Sequence, residues 1–133
     1  QSTSNPTSFA QAGALEALTG PQDEVGVMVG EFQKRRNVIV KRLKAMPGIS
    51  CFDPQGAFYV FPNIRALLGR SAKGRKLASA SDAVDYFLTE ARVLAVPGED
   101  FGSSENIRIS YATSIEEIEK GCDRIEAAIR RLS

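Results

Sequence analysis

Between positions 21 and 46, apolar residues recur at three- and four-residue steps. Val25, Met28, Val29, Phe32, Ile39 and Leu43 fall on one stripe, interrupted at Arg36. The pattern predicts one long helix, closed by Pro47-Gly48. At ~1.5 Å per residue it extends on the order of 38 Å, more than a small domain needs, and such helices usually link two bodies. Ahead of it, positions 9–18 are Ala-rich and helix-forming, and Gly20-Pro21 ends that run. Asn5 or Ser4 is the expected cap, with Pro6 in the first turn. Positions 1–8 otherwise read as a polar loop.

After Pro47 the period changes. Positions 49–52 predict a short strand and 53–56 a turn. Positions 57–61, aromatic and β-branched, carry the strongest strand signal and stop at Pro62. The two runs are expected to pair as a hairpin. Gly56 serves either the turn or the close approach of a ligand to the backbone. Leu67-Leu68-Gly69 suggests a short helical turn. Positions 71–80, small, polar and basic, read as a mobile surface loop. Ser81-Asp82 is the expected cap of a helix over 83–91, with Val84, Phe87, Leu88 and Ala91 on one face. Strands follow at 93–96 and 106–112. In the second, Ile107, Ile109 and Tyr111 point one way and Arg108, Ser110 and Ala112 the other. Thr113-Ser114, with Glu116 and Glu117, opens a last helix whose stripe is Ile115, Ile118, Cys122, Ile125, Ile129 and Leu132. The order predicts an α+β fold: a small mixed sheet with helices packed on one face, preceded by a helix and a long interdomain helix.

The 133 residues fit one domain, or one domain with an appended piece. Hydrophobic content of 43%, charged content of 25% and a net charge of +1 are ordinary for a soluble globular protein. They give no bias toward nucleic acid or an anionic membrane. No apolar run approaches the ~20 residues that span a bilayer. There is no signal peptide and the chain starts at Gln1, which suggests a trimmed piece of something longer. The cytoplasm is the default compartment. Histidine is absent, which removes the commonest general base and metal ligand, and no metal site is expected. Cys51 and Cys122 read as separate reduced thiols in apolar contexts. Lys34, Arg35, Arg36, Lys41, Arg42 and Lys44 make the long helix locally basic. A solvated face explains this better than an acidic partner, since no aromatics are interleaved to stack on bases.

Arg108 stands in mid-strand, where a guanidinium needs a partner. Its planar fork suits bidentate capture of a carboxylate. It is either half of a structural ion pair or an anion-binding group, and the strand alone leaves both open.

Three segments bear on that choice. They are Gln1-Ser-Thr-Ser-Asn-Pro-Thr-Ser; Gln55-Gly-Ala-Phe-Tyr-Val-Phe61; and Pro97-Gly-x-x-Phe-Gly followed by Asn106-Ile-Arg-Ile-Ser-Tyr-Ala-Thr113. Together, in this order and over nearly the whole chain, they resemble the pyridoxal-phosphate-dependent aminotransferases of class I, the aspartate aminotransferase family. The resemblance implies the C-terminal part of a PLP-dependent transferase fold. Positions 1–20 would be a remnant of the large cofactor-binding domain, 21–47 the linking helix, and 48–133 the small C-terminal domain. It implies that Arg108 grips the substrate α-carboxylate. Ser4 and Asn5 would lie near the cofactor phosphate of the partner subunit in a homodimer, where a helix N-terminus suits an anion. The substrates would be an amino acid and a 2-oxo acid, with the aspartate-using branch matched best. The family's Schiff-base lysine motif has no counterpart among Lys34, Lys41, Lys44, Lys73, Lys76 and Lys120. The chain alone is therefore expected to carry no catalytic residue, to hold no pyridoxal phosphate and to be inactive. The rival reading is a non-enzymatic α+β binding or regulatory module, using the basic helix 34–44 or an amino acid pocket at Arg108.

Overall fold

The computed structural model describes residues 4–133, so the loop expected at positions 1–3 lies outside the described residues. Two compact units, Gln1–Glu31 and Phe32–Ser133, divide within the long helix.

In the first unit, α1 (Ser8–Thr19) buries no residue, and Phe9, Leu15 and Leu18 are exposed. The cap position belongs to Thr7, with no side-chain hydrogen bond. Neither Ser4 nor Asn5 fills it, because the helix begins two residues beyond Pro6, whose carbonyl accepts from the Gln11 amide at 2.9 Å. Then comes α2 (Asp23–Ala45), unbroken over 23 residues and so about 34 Å long. Asp23 and Glu24 open it and Arg42 and Lys44 close it, each charge favourable to the helix dipole. The apolar stripe is buried only in the second unit, at Ile39 and Leu43. Val25, Met28 and Val29 stay exposed because the first unit gives them no packed layer of its own.

The second unit continues with β1 (Tyr59–Val60), the hairpin strands β2 (Ser71–Ala72) and β3 (Arg75–Lys76), α3 (Ala80–Tyr86), β4 (Val96–Pro97), β5 (Ile107–Ser110) and α4 (Ile115–Ile129). The α+β class is as expected. The sheet order is β1-β5-β4, and both ladders are antiparallel rather than mixed. The chain reverses at a short 3₁₀ turn (Gly98–Phe101) between β4 and β5, and β1 joins the other edge of β5 against its direction. Alternation in β5 is as read: Ile107 and Ile109 are buried, Arg108 is half-buried and Ser110 is exposed. The buried face of the sheet shares one core with Ile39 and Leu43 of α2 and with Ile118, Cys122 and Ile125 of α4.

Four local expectations are corrected. Positions 49–52 do not form a hairpin with 57–61. Ser50 pairs instead with Asn63, and β1 pairs with β5 about fifty residues on. Ala57 takes a left-handed conformation (φ 58°), and its carbonyl accepts from the buried Tyr111 hydroxyl at 2.9 Å, which turns this run away from its sequence neighbour. The segment read as a mobile loop holds the β2-β3 hairpin. Lys73 (φ 52°) and Gly74 (φ 78°) make its two-residue turn, and two left-handed residues in a row give a turn that matches the right-handed twist of paired strands. Its base is bonded to the last residue, with Ser71 N–H donating to Ser133 O at 2.8 Å and Ser133 N–H to Ser71 O at 2.9 Å. The third helix starts earlier than read. Ser79 caps it by accepting from Asp82 N–H at 3.1 Å, while the Asp82 carboxylate accepts from Ala78 N–H and the Ser79 hydroxyl. It ends in a π turn, Phe87–Ala91, whose wider winding carries Leu88 out to solvent while Phe87 and Ala91 stay buried. Arg92 (φ 56°) then breaks the chain, so positions 93–95 lie outside the β4 ladder. In α4 the expected cap holds, with Ser114 accepting from Glu117 N–H at 3.3 Å.

One ion cluster ties α2 to α4. Arg42 donates to Glu119 and, at 2.6 Å, to Asp123, with Glu126 at 3.7 Å. The hydrogen bond to Asp123 is the largest reason its guanidinium is held well above the usual range. Removing it leaves Glu119, Asp123 and Glu126 clustered on one face of α4 without the cation that α2 supplies. Arg42→Ala should cost about 1–2 kcal/mol, discounted for partial exposure. Added salt should recover part of the loss by screening the repulsion. Urea unfolding at low and high ionic strength checks both statements; equal losses in the two would show that repulsion is not the cause.

Candidate functional site

Burial of Ile107 and Ile109 fixes the register of β5, and the strand's alternation then sends Arg108 to the other face. Tyr59 of β1 pairs with Ser110, which puts its ring diagonally beside Arg108 on that face. From the other side of the sequence, the turn after β4 brings in Phe101. The Arg108 guanidinium carbon lies 4.5 Å from the centre of the Tyr59 ring and 4.3 Å from that of Phe101. Among the described residues it makes no hydrogen bond and no ion pair. Glu99 and Asp100, immediately before Phe101, are exposed and leave it unpaired.

The turn is held from several directions. Phe61 meets the Phe101 ring edge-on, with centres 6.1 Å apart and planes at 89°. Asn106 donates to Phe61 O at 2.8 Å and accepts from the Ser103 hydroxyl at 2.8 Å and from Asn63 at 3.3 Å. Gly98 is buried where a Cβ would strike the carbonyls of Asn106 and Ser103. Gly102, at φ 79°, supplies the left-handed step that ends the turn.

This arrangement suits a carboxylate. Aromatic rings interact with the π faces of a guanidinium, and its N–H donors lie in the guanidinium plane. A carboxylate in that plane can take two parallel hydrogen bonds. The structure therefore brings Arg108 together with Tyr59 and Phe101, which the sequence reading assigned no role. The available signals were the aromatic strand and the Phe of Pro-Gly-x-x-Phe-Gly. Ser4 and Asn5 are exposed and belong to the first unit, Arg108 to the second.

Elsewhere a groove of about 250 Å³ between α2, β5 and α4 is lined by Ile39, Leu43, Ile109 and Cys122. Burial pushes the Cys122 thiol up to about 11, so it is not a nucleophile near neutral pH. Among the described residues no cluster of His, Cys, Asp and Glu could hold a metal, and no helix is long and apolar enough to cross a membrane.

The family model described as aminotransferase class I and II matches residues 1–125, and the chain belongs to that family. A probable aspartate/prephenate aminotransferase of Rickettsia felis is 44% identical over 134 residues, covering 100% of this chain and 33% of that protein. The aspartate/prephenate aminotransferase of Cereibacter sphaeroides is 45% identical, covering 100% of this chain and 34% of that protein. The crystal structure of the aspartate aminotransferase from Rhizobium meliloti superimposes with a TM-score of 0.95 at 42% identity, covering 100% of this chain and 34% of that one. The chain thus spans about a third of the length of these relatives.

The family implies pyridoxal phosphate, which needs a lysine able to shed its proton in a sheltered site. All six lysines of this chain are exposed, and Lys44, Lys73 and Lys120 are paired with Asp53, Glu90 and Glu117. The residues described here do not fit the cofactor's anchoring group.

The backbone around Gly98 gives a direct check. Gly98→Ala should destabilise the protein by about 1–3 kcal/mol, because two carbonyls must move. Gly121→Ala, on α4 with nothing within 4 Å of the added carbon, should instead stabilise it by roughly 0.5–1 kcal/mol. Thermal unfolding of the two variants separates steric exclusion from a general effect of glycine replacement; equal shifts would refute the reading of Gly98.

Proposed function

We propose that the protein containing these residues is an aminotransferase that moves an amino group between an amino acid and a 2-oxo acid through pyridoxal phosphate. In this reading Arg108 binds the substrate α-carboxylate. The observation that carries the proposal is a half-buried guanidinium on a rigid strand, flanked by two rings and with no acid among the described residues paired to it. A clamp mounted on a sheet keeps the substrate α-carbon in one position. The names of the relatives point to aspartate as the amino donor and to prephenate, a 2-oxo acid, as an acceptor.

Residues 1–20 would then belong with a large cofactor-binding domain, 21–47 would link, and 48–133 would form the small domain. Ser4 and Asn5 would approach the cofactor phosphate of the partner subunit in a cytoplasmic homodimer. The Schiff-base lysine would come from residues outside these 133, and the chain alone would be inactive. The rival use of helix 34–44 as a basic docking surface has less support. Arg42 is engaged by three carboxylates, Lys44 by Asp53, and Arg36 by Asn37 and the carbonyl of Pro54.

In the full-length enzyme, Arg108→Ala should lower kcat/KM for aspartate by roughly two to three orders of magnitude, with Arg108→Lys recovering part of it. Steady-state transamination assays measure this, and unchanged turnover in Arg108→Ala rejects the role. Borohydride treatment of the 133-residue chain mixed with pyridoxal phosphate should leave no site-specific reduced adduct. A single stoichiometric one would refute the external lysine.

A further inference from the structure

The two rings against Arg108 serve the strand poorly as core. Phe101 is 46% exposed and Tyr59 is half-buried, yet both lie within 4.5 Å of the same guanidinium carbon. An arginine on an open face usually spreads over many rotamers, and ordering it costs entropy at the moment of binding. It also usually finds a local acid. Here Glu99 and Asp100 sit on the same turn as Phe101, close enough in sequence to compete, and neither pairs with Arg108. We infer that Tyr59 and Phe101 are positioning residues: together they form an aromatic clamp that presets the plane of the Arg108 guanidinium and reserves its in-plane N–H donors for the incoming carboxylate.

The inference rests on the reading of Arg108 as the substrate's carboxylate ligand and adds how that ligand is kept ready. Rings seated against the faces of the cation would leave its edge open to a carboxylate, where two parallel hydrogen bonds form. They would also strip water from the faces, which strengthens the ion pair once made. The clamp is assembled from distant parts of the chain, since Tyr59 is held by the β1–β5 ladder. Phe101 is held by the edge of Phe61 and by a turn that Asn106 braces.

The clamp predicts an affinity effect that a purely structural role would not give. In the full-length holoenzyme, Tyr59→Leu and Phe101→Leu should each raise the KM for aspartate and the inhibition constant of succinate by about three- to thirtyfold. The melting temperature and the KM for a probe lacking the carboxylate, such as the amine analogue of the substrate, should stay near their starting values. Tyr59→Phe and Phe101→Tyr, which restore a ring, should recover most of the loss. In an Arg108→Lys background, where the ammonium is a point charge without a plane to orient, the Leu substitutions should matter much less. Phe101 lies on an exposed turn, so its variant remains informative even if Tyr59→Leu disturbs the strand. If Arg108→Ala abolishes turnover while Phe101→Leu leaves the succinate constant unchanged, the clamp is refuted and the carboxylate role stands. If Arg108→Ala itself has no effect, the role of Arg108 fails first.

Discussion

The site depends on the packing of three side chains that never touch it. Ile107, Ile109 and Tyr111 are each at most 8% exposed, and a residue of that size contributes about 1.5–3 kcal/mol when taken out of water. A slip of one position would expose all three and bury a guanidinium without a counter-ion, which is far costlier. The register of β5 is therefore set by its apolar face, and the direction of Arg108 follows as a by-product. That inversion of roles explains how a short strand of four residues can hold a charged group in a defined direction.

What surrounds the arginine is a second layer of constraint, built from loops instead of ladders. A glycine that has no room for a side chain, an asparagine bonding three ways and an edge-on pair of phenylalanines locate one ring. A loop with this many fixed points behaves as part of the scaffold, even though most of its surface faces water. The polar network is small and satisfied, and among the described residues no buried side-chain donor or acceptor is left without a partner.

Much of this was legible in the residues alone. The length of α2, the amphipathic stripe of α4, the Ser114 cap and the alternation of β5 all follow from local spacing, which one chain segment determines by itself. Pairing was not legible. Ser50 and β1 look like neighbours in sequence and part company in space, because the left-handed Ala57 and the hydroxyl of Tyr111 act across 54 positions. The 71–76 hairpin was hidden for a related reason: its strands are basic and small, and only the Lys73-Gly74 pair marks the turn. Arg108 itself could be singled out, but its two companions could not. An aromatic residue in a strand and another in a loop carry no sign that they share a cation until the fold brings them together.

The bonds between Ser71 and Ser133 reach across 62 positions. Closing that span costs chain entropy that a local turn does not, although the cost grows only slowly with length. The tie fastens the β2-β3 hairpin to the segment that follows α4, so two surface pieces that the sequence keeps far apart are held as one.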